Sequence, residues 1–163
     1  KTFLTVEKDM ALNIALQVRE YLKRNHEVIM TRQTDEYISL AERCRIANRA
    51  SADVFVSIHL NAHDDPRVNG IETFSFPGSQ KGGALRNAIH RGVMQLLPGW
   101  TDRGTKEANF QVLRQTKMPA ALVECGFITN QRDEQRIHDI NVRDTFARGI
   151  ANGIEAYLRE EAK

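Results

Sequence analysis

The chain has 163 residues, 41% of them hydrophobic and 27% charged, which suits one globular domain with a core of its own. Its 23 Lys and Arg stand against 21 Asp and Glu, a formal charge of +2, and the basic residues are spread along the chain. Nucleic acid is therefore excluded as an expected partner. No window approaches the roughly 18 apolar residues of a membrane span, and the start shows no signal-peptide pattern, so a soluble chain with no membrane partner is expected.

Residues 2–6 alternate apolar and polar as a short strand does. Met10, Leu12, Ile14, Leu16, Val18, Tyr21 and Leu22 then return at spacings that predict a helix over 7–24. Residues 28–31 read as a short strand, 40–50 as a helix carried by Leu40, Cys44, Ile46 and Ala47, and 54–60 as a strand. Asp64-Asp65-Pro66 and Asn69-Gly70 mark a loop, 71–76 is the next strand, and Pro77-Gly78-Ser79 ends it. Leu85, Ile89, Val93, Leu96 and Leu97 predict a helix over 82–97, stopped by Pro98-Gly99. After a polar loop, 110–113 and 120–123 read as two more strands, and helices over 131–138 and 142–161 close the chain. The expected fold is a single α/β domain, a mostly parallel twisted sheet of about six strands flanked by helices. Cys44 and Cys125, the only cysteines, are expected to be buried thiols and not a disulfide or a thiolate metal site.

Two predicted strands deliver ionisable groups where a buried strand has no structural use for charge. The first, 54–60, brings His59 and then Asn61 to its carboxyl end; the second, 120–123, runs into Glu124, just before Cys125 and the turn-forming Gly126. Glu7 follows the first predicted strand in the same way. In a doubly wound sheet, ligands bind outside the carboxyl ends of parallel strands, so these three side chains can converge. Imidazole and carboxylate suit the ligand set of a catalytic zinc, and a further carboxylate beside it suits proton transfer.

Each residue also has a plainer reading. His59 alone reads as a hydrogen-bonded structural histidine, Glu7 as a first-turn carboxylate that complements the helix dipole, and Glu124 as the ion-pair partner of an arginine such as Arg114. Trp100 and Phe110 read equally as sugar-stacking or packing aromatics. His26, His90 and His138 fall in helices or at their ends and are assigned no chemistry.

Glu7-Lys8-Asp9 opening a helix, Thr31-Arg32 followed by Asp35, the run from Ala52 to Ala62, Asp102-Arg103-Gly104, Val112-Leu113-Arg114 and the run from Met118 to Asn130 occur together and in order. In these segments the sequence resembles the zinc-dependent N-acetylmuramoyl-L-alanine amidases of bacterial autolysins and phage endolysins, over almost its whole length. The resemblance implies one Zn2+ per chain with Glu7 and His59 as ligands, Glu124 as catalytic acid/base, and Asn61 and Gly126 as substrate contacts. It implies peptidoglycan as the substrate, cut at the amide between N-acetylmuramic acid and L-alanine of the stem peptide. It further implies a monomer acting outside the cell, at the wall.

One departure stands out. The family carries a Gly-His-Gly-Gly motif just after its first strand, and that histidine is a third zinc ligand; here Val6 runs straight into Glu7. Residues 1–163 are thus expected to form an amidase catalytic domain without that segment. His63 is the one imaginable substitute, and it lies in a polar loop. Two protein ligands make a weak zinc site, which keeps two rivals open: a metal-dependent peptidase of the stem peptide, and a wall-binding module of the same fold.

Overall fold

A computed structural model describes residues 6–163, so the strand predicted over 2–6 lies outside the described residues. The elements run α1 (Glu7–Leu22), α2 (Leu40–Arg49), β1 (Phe55–Asn61), β2 (Ile71–Ser75), α3 (Gln80–Leu96), β3 (Asp102–Glu107), α4 (Gln111–Arg114), β4 (Ala120–Phe127), α5 (Gln131–Ile137) and α6 (Ile140–Glu161). The class is α/β, as expected. Among the described residues, however, the sheet has four strands and not about six, in the order β1-β4-β2-β3. β1 with β4 and β2 with β3 are parallel; β2 runs antiparallel to β4.

Three segments differ from the expectation. Residues 28–31 form no strand and join no ladder among the described residues. Val28 and Met30 line a cavity of about 640 Å³ together with Val54, Val56 and Ile58. Residues 111–113, with Phe110 as N-cap, belong to the short helix α4. Its consecutive Val112 and Leu113 both enter one core cluster, which an alternating strand does not allow. β3, read as a polar loop, is an edge strand with no large apolar residue, and such edges are commonly charged.

Core residues divide by parity. Ala121, Val123 and Cys125 of β4, with Leu60 and Ile71, pack into a large cluster with α1, α3 and α6. Ala120 and Leu122, with Phe55, pack into a smaller cluster with α2 and α4. Cys44 and Cys125 are buried free thiols, one in each cluster. The odd positions of β1 and the even positions of β2 and β4 therefore share the α2/α4 face.

Helices α3 and α6 touch through glycines. A Cβ on Gly153 would stand 2.3 Å from Ile89 Cα, and one on Gly149 would stand 2.7 Å from Val93 Cα. In an open helix, Gly→Ala gains about 1 kcal/mol of propensity. Here Gly153→Ala is expected to destabilise by about 1–3 kcal/mol, because backbone must move apart. Urea denaturation tests this, and a stability equal to or above wild type would refute the close approach.

Candidate metal and acid–base site

Face parity carries three ionisable side chains onto one surface. Glu124 lies in register with His59 on one side and with Glu72 on the other, so His59, Glu124 and Glu72 stand side by side across β1, β4 and β2. They occupy the α2/α4 face, at the sheet edge where the carboxyl ends of β1 and β4 meet the start of the antiparallel β2. That is the crevice position expected of an α/β sheet.

Glu7 enters from the side. β1 is the outer strand, so the first turn of α1 reaches around it, and Glu7 Oε1 lies 3.0 Å from His59 Nδ1. Ser57, two residues back on the same face, contacts His59 Nε2 at 2.8 Å. With Glu7 ionised, Nδ1–H donates to the carboxylate and Nε2 accepts from the Ser57 hydroxyl. The hydrogen bond to His59 holds the Glu7 carboxyl below the usual glutamate range.

Glu124 is the opposite case. Its Oε2 is buried and has no hydrogen-bond partner among the described residues. Burial first, then the charges of Glu7 and Glu72, push its pKa up to about 8. The arginine partner considered from sequence is elsewhere: Arg114 Nη1 bonds the Asn109 side chain at 2.5 Å. A carboxyl that is protonated near neutrality, beside an imidazole and a carboxylate, is a proton donor and acceptor in waiting.

The residues fit part of a zinc site. Nitrogen and oxygen donors each about 2.0–2.1 Å from a tetrahedral ion stand roughly 3.3 Å apart, close to the 3.0 Å between Nδ1 and Oε1. Ser57 can accept from Nε2–H once Nδ1 gives up its proton, which would orient the ring as a ligand. A third donor is not in place: among the described residues, no group of three or more His, Cys, Asp or Glu is arranged to hold a metal ion. His63 joins no such group, and its Nδ1 accepts the Asp65 backbone N–H at 3.0 Å.

Asn61 reaches the site indirectly, donating from Nδ2 to Glu72 Oε1 at 2.8 Å. Gly126 is buried, with φ +96°, and a Cβ there would stand 2.8 Å from the Trp100 ring. The part this structure gives it is conformational: it turns the chain so that Phe127 N–H can meet Asp133 Oδ2 at 3.1 Å. Trp100 is itself buried, edge-on to Phe146. Glu72 is the residue that sequence reasoning passed over. The available signal was a carboxylate inside the strand predicted over 71–76, where Glu124 had stood out at a strand's exit.

Fold and site together define an α/β domain with a hydrogen-bonded His59–Glu7 pair and a largely buried carboxyl at its strand ends. The family profile for N-acetylmuramoyl-L-alanine amidases matches residues 2–156, and the chain belongs to that family. It is 36% identical to N-acetylmuramoyl-L-alanine amidase CwlM of Bacillus licheniformis, over 91% of this chain and 58% of that protein. It is 37% identical to the sporulation-specific N-acetylmuramoyl-L-alanine amidase of Bacillus subtilis strain 168, with the same two coverages. The chain thus spans about three fifths of the length of these curated relatives. The crystal structure of N-acetylmuramoyl-L-alanine amidase from Clostridium difficile 630 superposes with a TM-score of 0.94 at 39% identity, over 99% of this chain and 88% of that one.

The raised Glu124 pKa has a consequence for stability. Unfolded, the carboxyl titrates near 4.5; folded, near 8, so between these values the native chain holds a proton that the unfolded chain has lost. Stability from this group therefore falls as pH rises through that window, by about 1.4 kcal/mol per unit at most. Metal-free Glu124→Gln is expected to match wild type in urea midpoint near about pH 5 and to exceed it by about 2–4 kcal/mol near about pH 8.5. A difference that does not change with pH would sink the assignment.

Proposed function

We propose that the chain is the catalytic domain of a zinc-dependent peptidoglycan amidase, which hydrolyses the bond between the lactyl group of N-acetylmuramic acid and L-alanine. The supporting observation is the Glu124 carboxyl beside the His59–Glu7 pair, its buried Oε2 without a hydrogen-bond partner among the described residues. Glu7 and His59, with a third donor, would hold the zinc ion, which would supply electrophilic activation of the amide carbonyl and an acidified water. Glu124 handles the protons: its carboxylate takes one from the attacking water and delivers it to the alanine nitrogen as the C–N bond breaks. The products are a lactyl carboxylate and a free amino terminus. A pKa near neutrality suits both halves of that transfer, and burial keeps bulk water from competing.

The proposal places the domain at the cell wall, acting as a monomer on muropeptide strands. No described helix is long and apolar enough to cross a membrane. One observation favours a second reading, a wall-binding module with little turnover: the described residues arrange no third donor around Glu7 and His59.

Purified walls and mass spectrometry separate the readings. The zinc-loaded chain is expected to release new amino-terminal L-alanine. Glu124→Ala should slow release by about 10²–10⁴-fold while retaining zinc. His59→Ala and Glu7→Gln should each weaken zinc binding by about tenfold or more, as losing a mere supporting partner already does. Cuts between stem residues would favour the peptidase. A chain that carries no zinc, clears no wall and still sediments with it would establish the binding module.

A further inference from the structure

The face that carries His59 and Glu124 continues into a second charged group that the hydrolytic step leaves unused. Glu72 is 5% exposed and accepts from Asn61 Nδ2 at 2.8 Å, from Arg103 Nε at 2.9 Å and from Lys106 Nζ. Burial raises its pKa, but the two cations more than offset this and hold the carboxyl below the usual glutamate range. Two positive charges on one negative charge leave a local excess of one. Unlike Glu72, its partners are open: the Arg103 and Lys106 side chains are 30% and 39% exposed.

Arg103 is also aimed. From β3 its guanidinium crosses β2 to Glu72 and lies 5.1 Å over the ring of Phe127, three residues beyond Glu124 on β4. Only its Nε is used by the protein; among the described residues, no hydrogen bond is made by Nη1 or Nη2. The bulge in the β2–β3 pairing, with Gly104 at φ +78°, interrupts the ladder beside Arg103. A guanidinium fixed at Nε and seated on an aromatic face, with both terminal nitrogens free, is preorganised for a bidentate anion.

Distance selects the part of the substrate. The guanidinium lies over β2, the strand next to β4, so it stands roughly 5–10 Å from Glu124 at strand spacings of about 4.8 Å. An extended peptide advances about 3.4 Å per residue. We propose that Arg103, braced by Glu72 and assisted by Lys106, binds a free carboxylate of the peptide part of the substrate, about two residues from the scissile amide. The site makes this domain selective for stem peptides that are carboxylates there over those that are carboxamides. The proposal rests on the amidase reading for the identity of the peptide.

Two soluble muramoyl-L-alanyl peptides test it, identical except for a free carboxylate or a carboxamide on the second residue. Their binding to the metal-free chain, where turnover is absent, is measured by calorimetry at low salt. The free acid should bind wild type about tenfold more tightly, and Arg103→Gln should bring the two affinities within about twofold of each other. Arg103→Lys should keep only part of the preference, because it retains the charge and loses the fork. Circular dichroism confirms that each variant is folded, and the wild-type ratio needs no variant at all. Equal affinities in wild type, or a preference that survives in folded Arg103→Gln, overturns the proposal and leaves Arg103 a structural partner of Glu72. Release of L-alanine from walls judges the amidase reading separately. A chain that cleaves without the preference loses this inference alone, and one that shows the preference without cleaving loses only that reading.

Discussion

Side chains alternate across a strand with a period of two, so the packing that draws Ala121, Val123 and Cys125 into the large cluster also sends Glu124 to the opposite face. The same rule acts in β1, where Leu60 is buried in the large cluster and its neighbour His59 is not, and in β2, where Ile71 and Glu72 divide likewise. The apolar side chains on that face, three of them on β4 alone, cannot exchange places with charged ones without a large loss of burial. A slip of β4 by one residue would force Glu124 into that cluster and present the Cys125 thiol to the site. Register is therefore fixed by hydrophobic packing on one side of the sheet, and the chemistry on the other side inherits its alignment.

That alignment brings three carboxylates together and gives each a different environment. Glu7, half exposed, has His59. Glu72, nearly buried, has two cations and an amide. Glu124, placed between them, has no hydrogen-bond partner for its buried Oε2 among the described residues and feels the negative charge of both neighbours. Only the last is pushed up, so the group able to exchange protons near neutrality is selected by the pairing of the other two. Carboxyls of one chemical type thus acquire different pKa values from their surroundings alone.

Much of this was legible in the sequence. Long amphipathic helices such as α1, α3 and α6 show because apolar residues recur over four or more turns, and their observed limits differ from the expected ones by a residue or two. The convergence of Glu7, His59 and Glu124 was legible because each is an ionisable residue at the exit of an apolar run. β3 was not, because its sequence, Asp-Arg-Gly-Thr-Lys-Glu, has no apolar period; it is a strand because β2 offers it a ladder. α4 was misread because a four-residue window cannot separate a helical turn from a strand by period alone. The Glu72–Arg103 pairing was not legible for a different reason: it crosses strands, and a register between β2, β3 and β4 is not written in any one segment, although Arg103 itself stands in a motif of the resemblance.

The two halves of the site are held by different forces, and this bears on how a ligand pair and a proton carrier can coexist. Glu124 and Glu72 stand on strands whose ends are tied by buried groups. Asp133 accepts from Gly70 N–H at 2.7 Å and from Phe127 N–H at 3.1 Å, joining the start of β2 to the end of β4. Glu7 instead belongs to the first turn of α1, steadied from outside by Arg32 donating to the Lys8 carbonyl at 2.6 Å and by the exposed Lys8–Asp35 pair. Exposed pairs of that kind contribute about 0–1 kcal/mol, so the helix turn can shift by a few tenths of an ångström at little cost. A carboxyl whose pKa depends on burial needs rigid walls, whereas the Glu7–His59 pair, in the metal-binding role proposed for it, needs compliance. Placing the first on the sheet interior and the second between the sheet's edge strand and a helix terminus meets both requirements in one crevice.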